Sequence, residues 1–460
     1  MKFTLKILSI IFMGTSINIS AQDKDYKNSN LNLASYYQNV LSYYPLLKKQ
    51  KIMTNEAGEF KKLAASYDKA RVMINASYIN SNDPVTVFGS LLRQNNFSQS
   101  NFDINSLNEP DPVNNFNMTL YAELPVFNAY QTKYSMRMAE YMAESSQYSE
   151  EIIKQQILLM AEETYLNTLL SSKILNIVKA CRNKAMDDMK QADELKTKGV
   201  ILGADFYSAK VIFSNIDQML NQVNSQIKTS NAIFNILMGE KTEAPVQLSG
   251  KIRESFVSIP SLDELLSQCE SERADLHAIR SAIKAKESEL EKEKSTRLPK
   301  VSAFTSAEAD TEKLNGTGTN YTAGIKGSFD LFDAGYKHRT ETIRLKLEEL
   351  KNDEILLKDE LYKKVYVAFQ EYNTTSENLK VFDQSFQDSK ESIKLLEPLY
   401  NEGKKSIADL MQLRVVSLNA EISSLKARFQ LESAALNLLF SAGILSEKHL
   451  NELSNYLMEA

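Results

Sequence analysis

The longest stretch without glycine or proline limits what this chain can fold into. Residues 128–198 contain neither residue. Because these two residues are the usual helix breakers, the stretch predicts one continuous helix, which at the standard rise per residue would be roughly 105 Å long. A helix of about 30 Å already spans a small domain. The sequence therefore predicts an elongated molecule.

A second long helix is predicted over residues 336–402, which contain one helix breaker, Pro398. In the first stretch, apolar side chains recur at seven-residue spacing at Ile152, Leu159 and Leu166. This spacing is typical of helices that pack side by side in a coiled coil. The 460 residues include only 14 glycines and 9 prolines, so few turns are expected in the rest of the chain.

A short alternating segment precedes each long helix, at 116–124 and at 321–331. In the first segment one face is apolar: Phe116, Met118, Leu120, Ala122 and Leu124. Strands of about ten residues with one apolar and one polar face are typical of a membrane barrel with a wet interior. A half-buried strand of a soluble sheet is the alternative interpretation. Beyond the N-terminus, no run of about 18 apolar residues predicts a membrane-spanning helix.

The two halves of the sequence repeat each other. Phe127 and Phe332 lie 205 positions apart, and Gly199 and Gly403 lie 204 positions apart. A nearly constant offset over this length indicates an internal duplication.

The duplication predicts two equivalent units. The first unit is 22–239, with a helix at 31–69, a barrel hairpin of two strands at 71–125 and helices over 127–239. The second unit is 261–443, with a helix at 261–297, a barrel hairpin at 298–331 and helices over 334–443. Segments 240–260 and 444–460 are expected at the equator of the molecule, where the upper and lower helices join.

The N-terminus predicts export from the cytoplasm. Lys2 and Lys6 precede a short apolar run from Ile7 to Gly14, and Ala21 ends a small-residue cleavage site. This pattern is typical of a secretory signal peptide over residues 1–21. The formal net charge is −5, which argues against nucleic acid as a partner.

The sequence resembles the outer-membrane efflux protein family, the TolC-like outer-membrane factors. The resemblance covers essentially the whole mature chain. It rests on the 204–205 offset and on four segments: ELPVFNAY (123–130), LPKVSAF (298–304), FDLFDAGY (329–336) and YNEGKKSIADL (400–410). Within these segments, Pro125, Phe127, Pro299 and Phe332 mark the junctions between barrel and helices. Phe127 and Phe332 are candidates for an aromatic belt at the membrane surface or for ordinary packing at the junction.

The resemblance implies a mainly α fold with a membrane β-barrel. Four strands from each of three protomers would form twelve strands, and coiled-coil helical hairpins would form a periplasmic tunnel. It further implies a passive homotrimeric exit duct in the outer membrane of a Gram-negative bacterium. The implied partners are outer-membrane lipid, a periplasmic adaptor (membrane fusion) protein and an inner-membrane pump of the RND, ABC or MFS type. The duct would serve tripartite efflux or type I secretion, and the sequence does not choose among drugs, metals and polypeptides as substrates. A soluble periplasmic coiled-coil adaptor or scaffold is the alternative.

The resemblance also implies a periplasmic gate at the helix tips, beside the turns at Gly199 and Gly403. The matching residues are Asp205, Tyr400, Lys405 and Asp409. Lys405 replaces the arginine common in the family, so bidentate pairing is lost. Gln412 stands where a second acidic ring is expected, which leaves open whether the gate has one acidic ring or two. The alternative interpretation is helix capping and solvated charge near a turn.

No catalytic, cofactor-binding or metal-binding motif is found, so no enzymatic activity and no cofactor are predicted. His277, His338 and His449 are scattered, without the spacing of metal ligands. Cys181 and Cys269 lie on separate predicted helices, and the sequence leaves open whether they form a disulfide after export.

Overall fold

The computed structural model of the protein describes residues 31–248, 259–313 and 318–458. The predicted signal peptide and residues 249–258 of the predicted equatorial segment lie outside these ranges. The helices, apart from one short 3-10 helix at Gln99–Phe102, are α1 (Leu33–Tyr43), α2 (Pro45–Ser66), α3 (Pro84–Arg93), α4 (Ile104–Asn108), α5 (Gln131–Thr197), α6 (Gly203–Met238), α7 (Leu262–Glu272), α8 (Ala274–Ser295), α9 (Tyr336–Asn401), α10 (Ile407–Ser441) and α11 (Glu447–Met458). The strands are β1 (Arg71–Ser81), β2 (Val113–Phe127), β3 (Lys300–Thr311) and β4 (Gly318–Ser328).

The predicted fold class, mainly helical with four strands, is confirmed. The two long helices α5 and α9 have 67 and 66 residues, so each is roughly 100 Å long. α5 packs against α2, α6 and α8, whereas α9 packs against α10, α8 and α7. Each long helix therefore has several shorter helices as neighbours along its length.

Two helices that the sequence predicts as continuous are divided in the structure. The predicted helix 31–69 is interrupted at Tyr44, because Pro45 has no N–H to continue the hydrogen-bond ladder and instead begins α2. The predicted helix 261–297 is interrupted at Arg273, whose backbone is extended. The buried guanidinium of Arg273 donates to the Phe440 carbonyl at 2.8 Å, which fixes this break against α10.

The first long helix also begins later than predicted. Phe127 is the last residue of β2, and α5 begins only at Gln131. Between them Ala129 and Tyr130 both have φ of +58°, the left-handed region that side chains other than glycine rarely adopt. Two such residues in succession turn the chain sharply from strand into helix.

The two helix tips have the same backbone geometry. Gly199 and Gly403 both have φ of +72°. In each tip the glycine N–H and the next N–H donate back to the last turn of the helix, which is the Schellman arrangement. The duplication seen in the sequence is therefore repeated in the detailed ending of each long helix.

The strands form one antiparallel sheet in the order β1-β2-β3-β4. Leu120 of β2 lies opposite Ile74 of β1 and Ala307 of β3, and Ala307 lies opposite Tyr321 of β4. Directly opposed residues share a face of a sheet. The apolar faces of all four strands therefore coincide. Within the described residues, the outer edges of β1 and β4 have no pairing strand.

The helices enclose several apolar clusters rather than one core. The waist cluster joins α1, α5, α6 and α10 and includes Tyr36, Leu158, Tyr165, Phe234 and Leu436. The tip cluster joins α5, α6, α9 and α10 and includes Phe206, Tyr400, Ile407, Leu410 and Met411. Cys269 belongs to a third cluster with Leu361 and Leu438, and both cysteines are free thiols. None of the described helices is apolar over a length that would cross a membrane.

Candidate functional site

The two faces of the sheet differ in chemistry. On β2, Asn117, Thr119, Tyr121 and Glu123 share one face, and their cross-strand partners on β3 include Asp310, Glu308 and Ser306. These side chains bond to one another, since Thr119 Oγ1 donates to Asn117 at 2.9 Å and Tyr121 Oη donates to Glu123 at 3.1 Å. A face of this kind can line a water-filled passage.

The opposite face is apolar and lies open. Its members include Val72, Ile74, Leu120, Tyr321 and Ile325, and the last two are 86% and 78% exposed. Soluble monomers rarely expose a contiguous apolar patch that spans a whole sheet. Lipid or a partner protein is the kind of surface that this face fits.

The predicted junction residues lie where the sheet meets the helices. Pro125 lies within β2, next to a shift in the β2–β3 register between Pro125 and Phe127. Phe127 packs edge-to-face on Tyr130 at 5.2 Å. Pro299 directly precedes β3, and Phe332 is exposed between β4 and α9. These four residues are thus spread over both strand-to-helix connections and the entry to β3.

Among the described residues, no side-chain hydrogen bond or ion pair joins the four predicted gate residues to one another. Asp205 lies in the first turn of α6, and Lys405 is exposed in the α9–α10 turn without an ion pair to any described residue. Asp409 belongs to the N-terminal cap of α10. Its backbone N–H donates to Ser406 Oγ at 3.1 Å, and its carboxylate accepts from the Ser406 N–H at 3.2 Å. Inside one protomer, Asp409 therefore has the capping role.

Tyr400 is buried in the tip cluster. Its hydroxyl has no hydrogen-bond partner among the described residues. Burial, together with the negative charge of Asp188, raises the pKa of this hydroxyl. A buried hydroxyl without a partner is unfavourable, and water or a neighbouring protomer can supply the partner.

A charge network that the sequence did not reveal joins the helices beside Tyr400. Arg414 of α10, with a side chain only 5% exposed, pairs with Asp188 of α5 and with Glu397 of α9, the latter at 3.2 Å. Lys184 of α5 also pairs with Glu397 at 3.2 Å. The network therefore ties together three helices from both halves of the duplication.

The electrostatics of this network favour its charged form. Burial opposes ionisation of Glu397, but the hydrogen bonds and charges of Lys184 and Arg414 outweigh burial and hold the pKa of its carboxyl below the ordinary range. One feature of the sequence could have indicated this network. Arg414 occupies an inward-facing position of α10, one turn after Leu410 and one turn before Leu418. A charge at such a position has to be paired.

A second buried ionisable side chain lies beside the waist cluster. Glu162 of α5 is fully buried, one turn from Leu158 and Leu166 of the waist cluster. Neither of its carboxylate oxygens has a hydrogen-bond partner among the described residues. Burial, with a further contribution from the charge of Glu163, raises its pKa well above the ordinary value. Glu162 is therefore held in its neutral form more readily than an exposed glutamate.

Comparisons with known proteins agree with this architecture. Residues 265–443 match the family model described as outer membrane efflux protein. Comparison with curated protein sequences finds no match.

Several solved structures have the same fold. The Campylobacter jejuni CmeC outer membrane channel is similar with a TM-score of 0.77 and 15% identity, over 95% of this chain and 94% of that one. The Vibrio cholerae outer membrane protein VceC has a TM-score of 0.72 and 13% identity, over 89% and 96%. The open state of the Neisseria gonorrhoeae MtrE outer membrane channel has a TM-score of 0.73 and 13% identity, over 90% and 89%. Residues 265–443 thus match the outer membrane efflux protein family, and the chain shares the fold of these outer membrane channels over nearly its whole length.

Proposed function

We propose that three copies of this chain form a passive exit duct in the outer membrane. One observation carries the proposal: a four-stranded sheet with an open apolar face, a polar opposite face and two unpaired edges. Unpaired strand edges are not tolerated in lipid, because their N–H and C=O groups lack partners there. Pairing of β4 in one copy with β1 in the next would close a barrel of about twelve strands.

The helices support the same assembly. α2 and α9 both carry large apolar side chains that no described part of the chain covers: Ile52 and Phe60 on α2, and Leu345, Ile355, Leu356, Val381 and Leu395 on α9. A neighbouring protomer would cover these faces as it joins the sheet edges. The duplicated hairpins of three protomers would then surround a periplasmic tunnel that continues from the barrel.

The tip is the proposed contact with a periplasmic adaptor. The α5–α6 turn and the first turns of α6 expose four large apolar side chains: Val200, Leu202, Tyr207 and Val211. An exposed cluster of this kind favours a protein partner. In this proposal an inner-membrane pump supplies the energy and the adaptor connects it to the duct, whose own part is passive permeation.

The gate is proposed at the same end. Asp205, Tyr400, Lys405 and Asp409 would narrow the tip through contacts between protomers, since no hydrogen bond or ion pair joins them to one another in the described part of one chain. The Arg414 network would hold the coils of each protomer together behind them. Gln412 has no charge, so Asp409 would supply a single acidic ring.

The test is assembly and conduction. In detergent, native mass spectrometry of the exported protein should give three protomers, and the trimer should form ion-conducting pores in a planar bilayer. A soluble periplasmic adaptor, the alternative function, would be released without detergent and would not conduct. A monomer with intact β-structure and no conductance would overturn the duct.

A further inference from the structure

We propose that the segment between β1 and β2, residues 82–112, forms a second constriction at the outer end of the duct. This segment, here called the outer segment, contains α3, the short 3-10 helix and α4. The inference rests on the proposed function, which makes the polar face of the sheet the inner wall of a barrel. α2 leads into β1 and β2 leads out toward α5, so the outer segment lies at the end of the sheet away from the long helices.

The position of α3 relative to the sheet shows which face the outer segment covers. Gly318 of β4 lies opposite Asp310, which lies opposite Asn117 on the polar face. A Cβ atom added to Gly318 would lie 1.8 Å from the carbonyl oxygen of Arg93, the last residue of α3. Because a Cβ at this position points to the polar face, α3 must end on that face. The outer segment therefore folds into the interior of the proposed barrel.

A chain of buried polar side chains fixes the outer segment in this position. Gln94 Nε2 donates to the Asn114 carbonyl and to Asn115 Oδ1, both at 2.8 Å. Asn115 Nδ2 in turn donates to Asp310 Oδ1 at 2.8 Å. Gln94, Asn115 and Asp310 are all buried, and Asp310 is 0% exposed. A connected buried network specifies one position, because displacement would leave several buried groups unpaired.

The outer segment also has a small core of its own. Val87 is buried, and Phe97 packs edge-to-face on Phe88 at 4.9 Å and on Phe102 at 5.1 Å. The carboxylate of Asp83 caps α3 by accepting from the Thr86 N–H at 2.8 Å. The segment is thus a folded element that would occupy space in the barrel permanently.

The outer segment is large relative to the interior of the proposed barrel. Twelve strands at ordinary spacing and tilt enclose a backbone diameter of about 24 Å. A helix with its side chains is about 10 Å across. Three helices of that width, one from each protomer, cover about half of such a circle before the side chains of the barrel wall are counted. The outer segment would therefore set the largest solute that leaves the duct.

The test measures access from outside the cell to a thiol deeper in the barrel. Thr119→Cys places that thiol on the polar face, nearer the helices than Asn115. Intact cells are treated with maleimide–polyethylene glycol reagents of graded size, and the parent protein with its two native cysteines gives the background. In the Thr119→Cys protein, small reagents should label this thiol and large reagents should be excluded.

Gly318→Ala is the variant that should widen the constriction, because the added methyl group displaces Arg93 and with it α3. The size limit for labelling should then shift upward. Gly327→Ala is the matched control, since a Cβ there meets no atom within 4 Å and the size limit should stay as in the parent. Gln94→Leu removes the hydrogen bonds without adding bulk and should also raise the limit, which keeps the test valid if Gly318→Ala fails to assemble.

The outcomes separate this inference from the function on which it rests. If the Thr119→Cys protein forms no trimers, or its trimers do not conduct in a planar bilayer, the duct itself is wrong. If small and large reagents label the introduced thiol equally in the Thr119→Cys protein, or if adding Gly318→Ala or Gln94→Leu to it leaves the size limit unchanged in both cases, the duct stands and the outer segment does not constrict it.

Discussion

Two buried ionisable side chains, one paired and one without a hydrogen-bond partner among the described residues, give the clearest predictions for single substitutions. Arg414 is buried and paired with two carboxylates, whereas Glu162 is buried and has no hydrogen-bond partner among the described residues. The sequence predicted the apolar seam of the long helix but neither of these residues. Arg414 and Asp188 are 226 positions apart, and periodicity cannot show that the two meet.

Replacement of Arg414 should destabilise the tip. Arg414→Ala would leave Asp188 and Glu397 facing each other without the cation, and breaking a buried ion pair costs about 3–5 kcal/mol. The free energy of unfolding in detergent should fall by roughly that amount. Lys190→Ala is the control, since this exposed lysine of α5 pairs with Asp187 at the surface, outside the network, and its loss should matter little. Equal effects of the two variants would mean that the network does not stabilise the coils.

Glu162 should make stability depend on pH. Its pKa is raised in the folded state, so the unfolded state loses the proton first as pH rises. Stability is therefore unaffected below the ordinary pKa of glutamate and decreases above it, until the folded state also ionises. Glu162→Gln should be more stable than the parent at pH 7 and similar near pH 4, measured by denaturant midpoints. The exposed Glu194→Gln on the same helix should leave the profile unchanged.

Among the secondary-structure elements, local sequence patterns predicted the faces of the strands but not the breaks in the helices. Period-two alternation predicted the two faces of β2, because register is strongly specified wherever one face is uniform. The same reasoning did not predict the division of the shorter helices. Nothing in the pattern around Arg273 shows that its guanidinium will reach a carbonyl of α10, 167 positions away. Breaks that depend on distant contacts are invisible to local pattern.

The strand faces give a prediction with an internal control. Leu120 lies opposite Ile74 and Ala307 on the apolar face, whereas its neighbour Thr119 lies opposite Asn75 and Glu308 on the polar face. Leu120→Arg should prevent membrane assembly, because arginine on the lipid face costs about 2–4 kcal/mol near the midplane. Thr119→Arg should still give trimers, scored by heat-modifiable mobility in gels. Identical behaviour of the two variants would refute either the register or the barrel.

At the scale of the whole molecule, the unpaired edges and uncovered faces of the single chain all fit one assembly. Threefold assembly would explain the open sheet edges, the apolar faces on α2 and α9, and the gate residues that the described chain does not join by hydrogen bonds. The sequence supplied the duplication and the length of the helices, and its resemblance to the family implied the tunnel. It did not supply the docking of the outer segment on the inner face, because a carbonyl packed over Gly318 leaves no pattern in the sequence.

The gate provides the last prediction, and only the trimer can test it. Tyr400 has a buried hydroxyl without a hydrogen-bond partner among the described residues, and Lys405 is an exposed cation in the turn that follows α9. If both make contacts across protomers, the combined Tyr400→Phe and Lys405→Ser variant should raise single-channel conductance in a planar bilayer. Exposed pairs contribute about 0–1 kcal/mol each, and three protomers multiply this to a few kcal/mol, enough to shift a closed state toward an open one. Lys404→Ser, which removes a pair with the adjacent Glu402, is the control and should leave conductance unchanged. An unchanged conductance in the double variant, with trimers intact, would place the narrowest point elsewhere and leave Asp409 with its capping role alone.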